Sequence, residues 1–128
     1  MGTQCANPDR PVFGIIGDGS AMMTVQGLWT AANDKIPCIF VICNNGMYRV
    51  LKVNFNTYQK DVLKLPETSG GSLLYSDFGT PFDLAAIATS MGVYGERIVS
   101  PEEIRPAVER AVASGKPALL DIVIDGSL

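Results

Sequence analysis

The stretch GDGSAMMTVQGLWTAANDKIPCIFVICNN, which runs from Gly17 to Asn45, decides the fold of this chain. One apolar strand, Phe13–Ile16, leads into it, and a second, Ile39–Cys43, lies near its end. If these strands are parallel neighbours, Asp18 and Asn45 both emerge at their carboxyl ends, the edge at which open α/β sheets bind ligands. A carboxylate and an amide oxygen that meet there are hard oxygen ligands, suited to Mg²⁺ or Ca²⁺ rather than zinc.

The first half of the chain has the pattern of a strand, a helix and a second strand. The apolar run Pro11–Gly17 is continuous rather than alternating, which is typical of a strand covered on both faces. Ser20 is the expected N-cap of a helix over Ala21–Asn33, and we expect Trp29 to pack in the core from its apolar face. Cys38–Cys43 is the second parallel strand, joined to the first by a right-handed crossover.

The middle of the chain has one helical pattern on each side of a long loop. A helix is predicted over Met47–Tyr58. The segment Lys60–Ser76 that follows has no clear hydrophobic period, which predicts a long loop. The next helix is expected to start with Thr80 as its cap, to run to Met91 and to stop at Gly92.

The last part of the chain continues the alternation of strands and helices. It predicts a strand near Glu96–Val99, a helix that opens with a Ser-x-x-Glu capping box at 100–103, and the strand Ala118–Ile124. Asp121 and Asp125 are expected to be strand-end or surface charges rather than catalysts. The whole pattern predicts an α/β fold in which helices flank a parallel sheet.

The composition narrows the possible functions. The 128 residues suffice for one domain with its own core, and the net charge of −3, without a basic tract, argues against nucleic acid or an anionic membrane as partner. There is no histidine to serve in a catalytic triad, as a metal ligand or as a general base. The longest apolar run, Ile36–Cys43, is too short to span a bilayer. The three cysteines form no Cys-x-x-Cys pair, which indicates reduced thiols and a cytoplasmic setting.

Two motifs lie at the carboxyl ends of the two strands Phe13–Ile16 and Ile39–Cys43. Gly17-Asp18-Gly19-Ser20-Ala21 follows the first strand, and Asn44-Asn45-Gly46-Met47-Tyr48 follows the second. Together with Pro8-Asp9-Arg10-Pro11 and Leu28-Trp29-Thr30-Ala31-Ala32, they resemble the thiamine-diphosphate (ThDP) enzymes of the benzoylformate decarboxylase and acetolactate synthase branch. The Asn-Asn-Gly motif alone is also typical of a simple turn, but its pairing with Gly-Asp-Gly favours the functional interpretation. The resemblance covers nearly the whole chain.

The resemblance implies a cofactor site that binds ThDP and Mg²⁺. Asp18 would give the metal a carboxylate oxygen, Asn45 its side-chain carbonyl oxygen and Met47 its backbone carbonyl oxygen. Two diphosphate oxygens and a water would complete the octahedral shell. The cofactor-binding residues that the resemblance implies are Gly17, Asp18, Gly19, Ser20, Ala21, Asn45, Gly46, Met47 and Tyr48.

The resemblance also implies that residues 1–128 form a single ThDP-binding domain of the diphosphate-binding type. This domain would be truncated at its N-terminus, so that its first strand and helix are missing. In the resembled enzymes the activating glutamate lies on a separate pyrimidine-binding domain, usually of a neighbouring subunit. We therefore assign no catalytic residue here and expect no turnover by the chain alone. Apolar surface left uncovered by the truncation predicts self-association into a homo-oligomer.

The implied function is a part of a 2-oxo acid decarboxylase or carboligase, a lyase or transferase similar to acetolactate synthase. The sequence indicates neither the substrate nor whether decarboxylation or carboligation is the reaction. Two alternatives stay open: a subunit that pairs with a separate pyrimidine-binding chain in a split decarboxylase, and a non-catalytic assembly module that retains the fold.

Overall fold

The chain alternates short helices and strands within residues 1–66 and 73–127, which the computed structural model describes. The strands are β1 (Phe13–Gly17), β2 (Ile39–Asn44), β3 (Tyr94–Ile98) and β4 (Ala118–Val123). The helices are α1 (Gly2–Ala6), α2 (Asp18–Met23), α3 (Gly27–Asn33), α4 (Arg49–Thr57), α5 (Leu84–Ser90) and α6 (Pro101–Ser114). A π-helical turn, Tyr58–Val62, continues α4.

These four strands form one parallel sheet in the order β1-β2-β4-β3. β1 pairs with β2 so that Gly17 lies opposite Cys43, and both strands therefore end at the same edge of the sheet. β4 lies inside the sheet, where Ile42 of β2 and Arg97 of β3 are the register partners of Asp121. The predicted α/β fold with a parallel sheet is confirmed, including the pairing of β1 with β2.

Two apolar clusters attach the helices to the sheet. The first joins Leu28 of α3, Ile42 of β2 and Leu84 of α5, and α2 packs against it through Ala21 and Met22. The second lies under α6 and consists of Ile39, Ile98, Ala107, Ala111, Ala118 and Leu120. Successive side chains of a strand point to opposite faces, so the central strands β2 and β4 contribute to both clusters and are almost continuously apolar.

β1 differs from the expectation that the first strand is covered on both faces. Ile16 packs against the first cluster, but Ile15 is 76% exposed and Phe13 is also exposed. These side chains are exposed because α6 packs on β3 and β4, toward the other edge of the sheet, and does not cover β1. One face of the edge strand β1 is therefore an exposed apolar strip.

The helix predicted over Ala21–Asn33 is two helices, α2 and α3, with a turn between them. α2 begins at Asp18, directly after β1, and Gly17 occupies the N-cap position. The prediction that Ser20 is the cap is wrong, because the backbone enters the helix earlier and Ser20 lies inside it.

Trp29 does not pack in the core, contrary to the prediction, and is 59% exposed. Leu28 and Ala31 are the buried residues of α3. The turn after α2 ends the helical period that placed Trp29 on the apolar face, so α3 starts with a new orientation and Trp29 faces solvent.

The caps of α5 and α6 also differ from those predicted. Asp83, not Thr80, caps α5, since its carboxylate accepts a hydrogen bond of 2.9 Å from the backbone N–H of Ala86. α6 starts after Ser100 as predicted, but its capping box does not form. The Ser100 hydroxyl donates instead to the carboxylate of Glu102, which is not the glutamate of the predicted box, and Ser100 makes no side-chain hydrogen bond that caps the helix.

The predicted loop Lys60–Ser76 is described only in part, because residues 67–72 lie outside the described ranges. Its first residues differ from the prediction, since the π-helical turn runs to Val62. Within the described ranges, no helix has both the length and the apolar character needed to cross a membrane.

Candidate functional site

Asp18 lies where β1 passes into α2, and its carboxylate joins the two motifs. The side chain is almost fully buried, at 3% exposure. Its Oδ1 accepts a hydrogen bond of 2.9 Å from the N–H of Gly19, and its Oδ2 accepts one of 2.7 Å from the N–H of Gly46. The register of β1 and β2 brings these loops together, because parallel neighbours end at the same edge.

The loop after β2 carries the second motif and is hydrogen-bonded to the segment Ser76–Phe78. The N–H of Tyr48 donates to the carbonyl of Ser76 at 2.7 Å, and the N–H of Phe78 donates to the carbonyl of Gly46 at 3.0 Å. Neither bond uses the carbonyl oxygen of Met47, the implied backbone ligand. Gly46 has φ +68°, a left-handed conformation that favours glycine.

Asn45 faces the same cavity as Asp18, and its side-chain oxygen accepts a hydrogen bond of 3.3 Å from the N–H of Met47. The cavity has a volume of about 210 Å³. The implied site residues that line it are Gly17, Asp18, Gly19, Ser20, Asn45, Met47 and Tyr48.

Two of the implied site residues do not line the cavity. Ala21 packs against the first apolar cluster and lines a separate apolar cavity beneath α2. Gly46 is not among the residues that line the cavity, and its N–H is engaged by Asp18. The structure thus brings the two motifs together while directing Ala21 toward the core.

Four further residues line the cavity that the sequence does not predict as site residues: Cys43, Arg49, Val50 and Ile124. Arg49 and Val50 follow the second motif directly, so their position in the chain could have predicted that they line the cavity. Ile124 comes from the end of β4, and its N–H donates to the carbonyl of Asn44 at 2.9 Å. No local pattern points to that contact.

Tyr48 covers Gly19 closely. A Cβ placed on Gly19 would lie 2.3 Å from the Tyr48 ring and 3.0 Å from the Phe78 ring. The rings of Tyr48 and Phe78 meet edge to face with centroids 4.8 Å apart. Gly19 is therefore the residue whose missing side chain allows this aromatic pair to close one wall of the cavity.

The donor types at this cavity fit Mg²⁺. They are one carboxylate from Asp18, an amide oxygen from Asn45 and a backbone carbonyl from Met47, all of them hard oxygen donors. Among the residues described, no group of three or more His, Cys, Asp or Glu side chains comes together in a metal-binding arrangement. A single carboxylate with neutral oxygens suits a magnesium ion that shares its shell with phosphates. The metal stays a prediction.

A second polar cluster lies directly behind the motif loops. Asp121, at 0% exposure, accepts hydrogen bonds from Nδ2 of Asn44 at 2.8 Å and from Nη1 of Arg97 at 3.2 Å. Burial raises the pKa of the Asp121 carboxyl, and these two donors partly offset that shift. The expectation of a strand-end or surface charge is wrong for Asp121, whereas Asp125 is exposed.

Comparisons with known proteins agree with the resemblance of the motifs. A family model described as "Thiamine pyrophosphate enzyme, C-terminal TPP binding domain" matches residues 1–122. The benzoylformate decarboxylase of Pseudomonas aeruginosa is 35% identical over 122 residues, which cover 95% of this chain and 21% of that protein. The acetolactate synthase large subunit of Parasynechococcus marenigrum is 35% identical over 125 residues, covering 95% and 18% of the two chains.

A solved structure shares the fold. The thiamine diphosphate-dependent 4-hydroxybenzoylformate decarboxylase of Rhodococcus jostii RHA1 has a TM-score of 0.81 and 33% identity, over 97% of this chain and 21% of that one. The chain thus spans about a fifth of the length of the relatives it matches.

Proposed function

Because this chain belongs to the thiamine pyrophosphate enzymes, as their C-terminal TPP-binding domain, we propose that it binds the diphosphate end of ThDP through Mg²⁺. The whole protein would be a 2-oxo acid decarboxylase or carboligase. The observation that carries the proposal is the hydrogen bond of 2.7 Å from Gly46 to Asp18, which joins the two motifs at one cavity.

The three proposed ligands of the metal differ in charge. Asp18 supplies the one negative charge among the metal's protein ligands, and Asn45 and Met47 supply neutral oxygens. The metal offsets the repulsion between the Asp18 carboxylate and the diphosphate, which would otherwise disfavour binding. Ser20 is exposed beside them, so its hydroxyl is free to donate to a phosphate oxygen.

The cofactor supplies the carbon chemistry of decarboxylation or carboligation when it is bound. The role of this chain is to bind and orient its diphosphate end. We assign no catalytic residue to it and expect no turnover by the chain alone, since the activating glutamate would come from a pyrimidine-binding domain elsewhere in the protein or on another chain. The three free cysteines support a cytoplasmic setting for the enzyme.

Calorimetric titration of ThDP into the chain, with and without Mg²⁺, tests this function. We expect binding heat only with Mg²⁺. Asp18→Asn keeps the size of the side chain but removes its charge, so we expect it to weaken Mg²⁺-dependent binding about tenfold or more, as for the loss of a charged contact.

Asp9→Asn is the matched control, because it makes the same change in net charge at an exposed position outside the cavity. It should leave binding unaltered. Equal heat without Mg²⁺, or an affinity for ThDP that Asp18→Asn does not change, would contradict the assignment.

A further inference from the structure

We propose that Asp121 is a positioning residue for the cofactor site, which fixes the orientation of the Asn44 side chain and thereby the loop that carries Asn45 and Gly46. This inference deepens the proposed function and rests on it. Asp121 itself would touch neither the metal nor the diphosphate.

The setting of Asp121 makes its carboxylate dependent on hydrogen-bond donors. It lies within the interior strand β4, on the sheet face of the first apolar cluster, and is fully buried. Its carboxylate takes donors from both neighbouring strands, Asn44 of β2 and Arg97 of β3. A buried carboxylate is unfavourable unless such donors surround it, so this group holds the three strands in one arrangement.

Asn44 links Asp121 to the loop of the second motif. Asn44 is 3% exposed. Its Nδ2 donates to Asp121 at 2.8 Å and to the carbonyl of Phe82 at 3.3 Å. Its Oδ1 accepts from the N–H of Gly46 at 3.3 Å, and the same N–H donates to Asp18 Oδ2 at 2.7 Å. A continuous hydrogen-bonded path therefore runs from Asp121 to the implied metal ligand Asp18.

The direction of these hydrogen bonds determines how the Asn44 side chain is oriented. A carboxylate only accepts hydrogen bonds, whereas a side-chain amide has one accepting end and one donating end. Asp121 therefore compels Asn44 to present its NH₂ group, which leaves the Asn44 oxygen facing the N–H of Gly46. With a neutral amide at position 121, its oxygen would go to Arg97 and its NH₂ group would face Asn44. Asn44 would then turn round, lose its hydrogen bond to the carbonyl of Phe82 and place NH₂ against the Gly46 N–H.

Three variants separate this role from simple stabilisation. Asp121→Asn keeps the shape of the side chain but reverses the preferred orientation of Asn44. Arg97→Met removes a partly exposed donor to Asp121 and leaves the Asp121–Asn44 bond, so it should lower stability without reorienting Asn44. The exchange Asp121→Asn with Asn44→Asp places an acceptor-only group at position 44, which can accept from both the new amide at position 121 and the N–H of Gly46.

The first measurement is amide hydrogen exchange of Gly46 by NMR in the ligand-free chain, under conditions in which each variant is folded. We expect exchange about tenfold faster in Asp121→Asn, the size expected for one hydrogen bond, and little change in Arg97→Met. The second is Mg²⁺-dependent ThDP affinity, which should fall about tenfold in Asp121→Asn, hold in Arg97→Met and recover in the exchanged pair.

The outcomes distinguish the two hypotheses. Unchanged Gly46 protection in Asp121→Asn, equal losses of affinity in Asp121→Asn and Arg97→Met, or no recovery in the exchanged pair would overturn the positioning role. If the unaltered chain binds no ThDP, the proposed function fails, but faster Gly46 exchange in Asp121→Asn alone would still establish that Asp121 controls the loop.

Discussion

At the scale of single residues, Gly19 and Tyr48 are coupled by their shapes. Tyr48 occupies the space that any side chain on Gly19 would need, and Phe78 supports the ring from its edge. The two motifs thus meet through packing as well as through the hydrogen bond between Gly46 and Asp18. A change at either position must therefore be accommodated at the other.

We expect Gly19→Ala to lower the free energy of unfolding by about 1–3 kcal/mol, the range found for overpacking. The added methyl group would displace the Tyr48 ring. Chemical denaturation measures the effect. Gly14→Ala is the control, because a Cβ there meets only Ile16, at an ordinary 3.7 Å.

A Tyr48→Ala background tests the cause. Removing the ring should shrink the effect of Gly19→Ala well below its value in the unaltered chain, since contacting residues are not additive. An undiminished loss in that background would show that the strain lies elsewhere.

The residues of the site differ in how far the sequence could predict them. Asp18 and Asn45 were found because each directly follows an apolar strand, so the register of two neighbours brings them together. Asp121 was missed because its partner Asn44 is 77 positions away. Nothing local distinguishes a buried, paired aspartate near the end of a strand from a solvated one.

At the scale of elements, the start of a helix depends on which nearby side chain accepts hydrogen bonds from the free backbone N–H groups of its first turn. Asp83 lies directly before α5 and accepts from Ala86, whereas Thr80 lies further upstream and is exposed. In α6, Ser100 and Glu102 bond to each other. The sequence predicted both helices and the start of α6, but the start of α5 was uncertain because two candidate caps, Thr80 and Asp83, lie within a few residues of each other.

The cap assignment gives a direct test. We expect Asp83→Ala to lower the free energy of unfolding by about 1 kcal/mol, as for other N-cap replacements. Thr80→Ala should change it by less than about 0.5 kcal/mol, as for an exposed residue without a special role. Thermal or urea denaturation of the two variants compares them, and a larger loss in Thr80→Ala would restore the cap that the sequence predicted.

At the scale of the whole molecule, the helices cover the sheet unevenly. α6 packs on β3 and β4, while Phe13 and Ile15 of the edge strand β1 stay exposed. Exposed apolar strips of this kind often mark surfaces of association. An edge strand also has unpaired backbone groups that favour contact with another chain.

We predict that the chain self-associates through this strip, so that its mean mass by light scattering rises with concentration. Ile15→Thr keeps a side chain suited to strands but removes apolar surface. It should weaken association about tenfold or more, since burial of an isoleucine contributes about 1.5–3 kcal/mol. Val99→Thr, an exposed change in the loop before α6, is the control. A constant monomer mass at all concentrations would refute the prediction.

The fold class and the pairing of β1 with β2 were predictable from the sequence, but the full strand order and the face on which Trp29 lies were not. Alternating apolar strands and amphipathic helices predicted the parallel sheet, and the central stretch predicted that β1 and β2 pair. The position of β4 between β2 and β3 could not be derived, because short apolar strands are similar and strand order depends on distant packing. Trp29 shows the same limit, since one turn after α2 reversed the face on which it lies.

The interior position of β4 has a consequence for the timing of folding. β4 follows the other three strands in the chain, yet it separates two of them in the sheet. During synthesis, β2 and β3 therefore leave the ribosome before the strand that joins them exists. Pairing between distant segments is slow, because the entropy of closing a long loop must be overcome first. If Asp121 positions the loop that carries Asn45 and Gly46, as proposed above, this loop gains its support only at that late step. We then expect ThDP to load after translation of this domain and not during it.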